Sequence, residues 1–328
     1  ISGSSRWDSR PTESCHSLAQ ALQPPRPACT SMSQPPSLRV GVAGWSYPDW
    51  EGVVYPSSRP PGFDPLTFLV GFFDVIEVNS TFYRPPSRRT SGSWAGRCQG
   101  NRDFRFTVKL YKGFTHDRSA SPADEKQVKD GLLPLVESNT LGAVLLQFPW
   151  SFKNESDSRN YLESLLDRFQ AYPLVVEVRH ASWDSTDFYE YLSDRRVGFC
   201  NIDQPRIGRS LGPSERSTGP VGYVRLHGRN YRDWFREEAG RDARYDYLYA
   251  EDELDPWLDK ISRVSEDSAE TYVITNNHFR GQAVVNALQL KAKLGARKVA
   301  APASLVAAYP VLKNIASVTP TDQARLFD

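Results

Sequence analysis

The chain has little cysteine, a single methionine and no long apolar run. Its four cysteines, Cys15, Cys29, Cys98 and Cys200, form no CxxC pair and no spacing that would clasp a metal. Such sparse use excludes a disulfide-stapled scaffold and fits a reducing compartment, so a cytoplasmic protein is expected. No apolar stretch reaches the roughly 18 residues of a membrane-spanning helix, and nothing near the start resembles a signal-peptide core. Neither a GxGxxG segment nor a P-loop occurs, so no glycine-rich phosphate cradle is signalled. An excess of one charge is also missing. Lys and Arg total 40 against 39 Asp and Glu, a net charge of +1, and no global field draws the chain to nucleic acid or a membrane. Any such partner has to be argued from a local patch.

What is present is a regular alternation. Eight short apolar runs end in polar residues: Leu38–Gly44, Phe73–Asn79, Phe104–Lys109, Ala143–Phe148, Leu174–His180, Val197–Asp203, Val221–His227 and Thr271–Asn277. Helix-length stretches separate most of them, near Asp64–Gly71, Thr90–Cys98, Pro122–Ser138, Ser156–Gln170, Asp184–Asp194, Asp252–Glu266 and Gly281–Leu294. Ser121 followed by Pro122 reads as an N-cap and a first-turn proline. The pattern predicts an α/β fold, a single (β/α)8 TIM-type barrel over residues 38–300. Residues 1–37, rich in Ser, Pro and Arg, read as a disordered or non-native extension. Met32, the lone methionine, reads as the natural start. Residues 301–328 form a C-terminal extension. Two long connections, 204–220 and 228–251, are expected at the barrel mouth.

Alternation along a strand assigns faces. Glu77 and Asn79, then Arg105, Thr107 and Lys109, then Glu177 and Arg179, then Arg225 and His227 point inward in this reading. Asn201, Asp203 and Gln147 join them. A barrel interior is normally packed with branched apolar residues; charges there must pair, because an unpaired buried ion is costly. Basic groups outnumber acids in this set, which suits an anionic ligand. Glu77 and Glu177 are the acid/base candidates, Lys109 a base or amine nucleophile, and His227 a proton carrier. Candidate ligand contacts are Trp45, Tyr47, Asn79, Tyr83, Gln147, Arg179, His180, Asp203, Arg225, Asn276 and Asn277. His116, His180 and His227 with Glu177 or Asp203 lack a local metal-binding spacing, so no metal site is assigned, and no cofactor is identified. The tail residues Gln323, Leu326 and Phe327 resemble the short QxxLF peptides by which bacterial proteins dock on the replication sliding clamp.

Several segments together resemble one family: Gly44-Trp45-Ser46-Tyr47, Glu77-Val78-Asn79-Ser80-Thr81-Phe82-Tyr83-Arg84, Gln147-Phe148-Pro149, Glu177-Val178-Arg179-His180-Ala181-Ser182-Trp183, Tyr223-Val224-Arg225-Leu226-His227-Gly228 and Asn276-Asn277. They are similar to the YecE-like proteins, domain of unknown function 72, from Leu38 to the C-terminus. The resemblance implies a TIM-type barrel in a mostly bacterial or archaeal protein and supplies no established reaction. Val42-Ala43-Gly44 stands where Thr-Ser-Gly is common, and Thr275-Asn276-Asn277 where Phe-Asn-Asn is usual, which weakens a role for a hydroxyl after the first strand. The leading expectation is an enzyme acting on an anionic, phosphorylated or carbohydrate-like small molecule at the strand ends. Glycoside hydrolysis by Glu77 and Glu177 ranks below it, since a basic site suits a neutral sugar poorly. The alternatives are a nucleic-acid-processing protein recruited through its tail and a non-catalytic binder.

Overall fold

Apolar residues, many of them strand-forming Val, Ile and Phe, fill the short runs, and helix caps punctuate the stretches between them. The computed structural model describes residues 37–232 and 244–319. The expectations for Met32 and for Gln323, Leu326 and Phe327 lie outside the described residues. Eight strands form the barrel: β1 (Ser37–Ala43), β2 (Val75–Val78), β3 (Arg105–Lys109), β4 (Leu141–Gln147), β5 (Leu174–Glu177), β6 (Gly198–Asp203), β7 (Val221–Leu226) and β8 (Glu270–Thr275). They pair in parallel in chain order, and β8 returns onto β1 over six residue pairs from Ser37–Glu270 to Val42–Thr275. The result is a closed (β/α)8 barrel, and closure leaves no strand edge exposed.

The main outer helices are α1 (Pro65–Val70), α3 (Arg88–Arg97), α5 (Pro122–Glu137), α6 (Ser156–Phe169), α7 (Thr186–Asp194), α8 (Glu251–Glu266) and α9 (Gln282–Leu294). All fall within two residues of the expected bounds. Ser121 caps α5 with a reciprocal box, its hydroxyl accepting from Asp124 N and its own amide donating to Asp124 Oδ2. Two short helices, α2 (Ser80–Tyr83) and α4 (Lys112–Thr115), sit directly after β2 and β3. Beyond α9, β9 (Val299–Pro302) and β10 (Ala316–Thr319) make a separate two-stranded sheet with α10 (Ala303–Ala308) between them. Gly41 has no room for a side chain: a Cβ there would stand 1.9 Å from the Val75 carbonyl oxygen. Gly44 holds φ +79°, which turns the chain sharply from β1 into the aromatic loop.

The face assignment holds on β2, β3, β5 and β7 and fails on β6. Cys200 faces the interior, its Sγ 3.8 Å from Glu177 Oε2. Asn201 and Asp203 therefore point outward. Asn201 holds the connection 204–220, donating to the Arg216 carbonyl at 2.8 Å and accepting from Ser214 Oγ and Arg216 N at 2.7 Å each. No helix forms between β6 and β7. Residues 214–218 run along the barrel's flank in the place of one, and only the earlier part, with Gln204 and Ser210, reaches the mouth. Asp203 pairs outward with Arg229 at 2.9 Å and accepts from the Trp257 indole at 3.2 Å. Phe199 marks the outward face of β6: it packs on Phe188 and Tyr189 of α7, with ring centroids 6.3 and 5.1 Å away, and shares its side of the strand with Asn201 and Asp203.

Candidate functional site

The barrel interior carries a charged layer. Arg225, on β7, donates to Glu77 Oε1 on β2 at 2.6 Å and to Glu177 Oε2 on β5 at 2.5 Å. Arg179 grips the other oxygen of Glu177 through Nε at 3.1 Å and a terminal nitrogen at 2.9 Å. Tyr223 hydrogen-bonds Glu77 Oε2 at 2.9 Å and Thr107 Oγ1 at 2.7 Å below. Both carboxylates have no exposed surface, and Arg225 is equally buried. Two arginines match two glutamates, so this layer is neutral as a set. Burial pushes the Glu177 carboxyl up, but Arg225, His227 and Arg179 outweigh it and hold the group well below the usual carboxylate range.

His227 completes the layer. Its Nδ1 is 3.0 Å from Asn276 Nδ2, and its Nε2 is 3.3 Å from Glu177 Oε1. The same Nε2 lies 3.4 Å from a terminal nitrogen of both Arg179 and Arg225. Burial drives its pKa down to about 3, against the pull of Glu177, so the ring is neutral at physiological pH. Glu77, Glu177 and His227 thus correct the acid/base expectation. Glu77 and Glu177 are sealed beneath the mouth in ion pairs with Arg225 and Arg179, the neutral His227 is buried against Glu177 and Asn276, and none of the three lines the pocket.

Above this layer, at the C-terminal ends of the strands, opens a pocket of about 750 Å³. That is the size of a small-molecule site. Its ionisable lining consists of Lys109, Arg179 and Arg244 with His116, His278, Tyr47, Tyr83 and Tyr245, and no Asp or Glu side chain among the described residues contributes. Trp45, Phe82, Trp94 and Trp150 supply apolar wall, and Asn79, Gln147 and Asn276 supply amides. Tyr47 stacks on His278 with ring centroids 4.3 Å apart, and Tyr245 packs on the same imidazole at 4.7 Å. Tyr83, 55% exposed, marks the rim.

Lys109 ends β3. Its ammonium lies 4.3 Å from the centroid of the Phe82 ring. Burial, followed by the charge of Arg225, lowers its pKa to about 7, with Glu77 and Glu177 opposing. His116 beyond it is lowered to about 4 by burial and by Lys109 itself. Of the expected contacts, Trp45, Tyr47, Asn79, Tyr83, Gln147, Arg179 and Asn276 line the pocket. Four do not. Arg225 is consumed by the ion pairs below. His180 is buried under Trp150, its Nδ1 2.8 Å from Ser182 Oγ. Asn277 turns outward to the Tyr247 carbonyl and Asn286, at 2.7 Å each. Asp203 is held by Arg229 outside the barrel. The sequence reading missed Arg244, Tyr245, Phe82, Trp94 and Trp150. Arg244 and Tyr245 belong to the long aromatic and basic connection after β7, and that composition was the available signal. No three His, Cys, Asp or Glu side chains gather as a metal would require among the described residues.

A closed barrel with an acid-free, cation-bearing pocket at its strand ends is the class this architecture defines. The particular family is then given by comparison. Residues 39–308 match the family model described as protein of unknown function DUF72, and the chain belongs to that family, which is the YecE-like family. It is 30% identical over 268 residues to the UPF0759 protein YunF of Bacillus subtilis, covering 77% of this chain and 93% of the relative. A crystal structure of a DUF72 family protein from Thermotoga maritima is similar at 37% identity and a TM-score of 0.70, over 79% of this chain and 99% of that one. A DUF72 family protein from Enterococcus faecalis, at 23% identity and a TM-score of 0.69 over 79% of this chain and 95% of that one, shares the fold.

Proposed function

We propose that the protein is an enzyme acting on an anionic small molecule held in the strand-end pocket. One observation carries this reading: Lys109, Arg179 and Arg244 line the pocket and no described carboxylate does. Arg179 is oriented by Glu177 and presents a fixed guanidinium to the pocket wall. Arg244 Nε is buried without a hydrogen-bond partner among the described residues, and such a donor is costly unless a ligand satisfies it. The aromatic wall suits an apolar or planar portion of the same molecule. Lys109 is the reactive group, an amine near neutrality at the pocket floor. Glycoside hydrolysis by two carboxylates is disfavoured, since Glu77 and Glu177 lie below the pocket in ion pairs.

The test is a thermal-shift and calorimetric series with inorganic phosphate, glycerol 3-phosphate and pyridoxine 5′-phosphate against glycerol and pyridoxine. An anion at about 100 times its dissociation constant stabilises by about 2.7 kcal/mol. The phosphorylated members are expected to shift the melting temperature and the neutral ones are not. Arg244→Gln is expected to weaken the anion at least about tenfold, the scale of one lost charge-assisted hydrogen bond. Equal shifts from neutral and anionic partners would overturn the reading.

A further inference from the structure

We propose that Lys109 forms a covalent imine with an aldehyde or ketone that also carries the anionic group. The inference rests on the anion-binding reading above and adds its reaction class. Four features of the molecule support it.

First, Lys109 stands apart from the other described lysines. Lys112, Lys126, Lys129, Lys260, Lys291 and Lys293 each pair with a carboxylate within 4 Å, and Lys153, Lys298 and Lys313 are exposed. Lys109 is partly buried and faces an aromatic ring instead. Second, the nearby carboxylates are already committed. Glu77 is bound by Arg225, and Glu177 by Arg225 and Arg179, so neither is available to fix an ammonium on β3. Third, Arg225 from β7 and Arg179, two residues past β5, act with burial against the protonated amine and outweigh the opposing charges of Glu77 and Glu177; a desolvated lysine beside another cation is the usual way to a nucleophilic amine at neutral pH. His116, neutral in this setting, adds no counter-charge. Fourth, the amine opens on the pocket rather than on solvent at large, and Asn79 Oδ1, buried and without a partner, lines the same pocket as a ready acceptor.

The step balances without a further reactant. The Lys109 Nζ lone pair attacks the carbonyl carbon, the carbonyl π pair moves to oxygen, and one proton passes from nitrogen to oxygen. The resulting carbinolamine hydroxyl can donate to Asn79. Its C–O bond then breaks, the nitrogen lone pair forms C=N, and water leaves with the second amine proton. A solvent proton on the imine nitrogen makes it a sink for electrons from the adjacent carbon. Arg179 and Arg244 meanwhile hold the anionic end.

The experiment uses the full chain with pyridoxal 5′-phosphate, an aldehyde that is planar and anionic, at pH 7.5, followed by borohydride reduction and peptide mass spectrometry. Pyridoxine 5′-phosphate, the alcohol, reports binding without a carbonyl. The expected result is a reduced adduct on Lys109 that forms at least about tenfold faster than on exposed Lys126, because a larger fraction of Lys109 is unprotonated. Lys109→Arg should abolish the adduct, and Lys109→Met serves if the arginine variant misfolds by circular dichroism. Alcohol binding with adducts on surface lysines alone would overturn the imine and leave the anion site standing. If neither compound binds, both readings fall together.

Discussion

At the residue scale, the fold is governed by the cost of the charges it encloses. Arg225 has two carboxylates and almost no exposed surface. Removing it leaves Glu77 and Glu177 buried, one without any cationic partner and the other with Arg179 alone. Loss of one member of such a set costs about 3–5 kcal/mol, so Arg225→Met is expected to lower stability by that amount in urea titrations. Arg225→Met combined with Glu77→Gln should recover part of it, because the stranded charge is gone. A double variant no more stable than the single one would mean that the penalty comes from packing rather than from charge. These residues were legible as inward-facing from alternation alone. Their commitment to one another was not, because sequence does not say which ion of β2 meets which ion of β7 across a closed barrel. That is why Glu77, Glu177 and His227 read as chemistry when the structure uses them as the foundation under Lys109 and Arg179.

At the scale of elements, β8 and α9 are joined by a buried polar knot. Asn286 on α9 accepts from Tyr249 N at 3.1 Å and from Asn277 Nδ2 at 2.7 Å, and donates to the Tyr249 carbonyl at 3.0 Å and Gln289 Oε1 at 2.7 Å. It fixes the connection after β7, which brings Tyr245 and Arg244 to the pocket. Asn286→Leu keeps the size and removes every partner at once. It should cost about 2–4 kcal/mol through the stranded amide and carbonyl groups and weaken anion binding through Arg244. Calorimetric melting paired with the phosphate titration checks both, and a variant that loses stability with full anion affinity would separate the knot from the site. Helix positions were readable because caps such as Ser121-Pro122 and apolar spacing are local. The connection 204–220 was readable as irregular, but its course was split between mouth and flank by Asn201, a single side chain whose direction depended on the phase of β6.

At the scale of the whole molecule, eight short apolar runs in a βα alternation determine the closed barrel, and strand-end position locates the pocket. The pocket's lining was only partly legible, since five of its walls come from helices and connections whose side chains follow no strand period. The same architecture sets how stability depends on pH. His227 is about 3 in the folded protein against 6.5 when exposed, so between those values the unfolded chain binds a proton that the folded one refuses. Stability must then fall as pH drops below 6.5, by about 1.4 kcal/mol per pH unit for this fully buried ring. His116, lowered to about 4, acts in the same direction, and below the usual carboxylate range Glu177 adds a further loss as it is protonated in the unfolded chain first. Lys109 extends the trend upward. With its value about 7 against 10.5, the unfolded chain holds the extra proton between them, and stability rises with pH across that window. Buried Tyr55, Tyr223, Tyr249 and Tyr272, all raised above 10 chiefly by burial, reverse the trend once unfolded tyrosines ionise. The stability maximum is therefore expected on the alkaline side, near pH 9–10, rather than between 5 and 8 where most proteins have theirs. Urea midpoints from pH 5 to 10.5 measure the curve. His227→Asn should flatten its acid limb and Lys109→Met its rise above pH 7; a maximum below pH 7, or two variants that leave both limbs unchanged, would show that the barrel interior does not hold these groups uncharged.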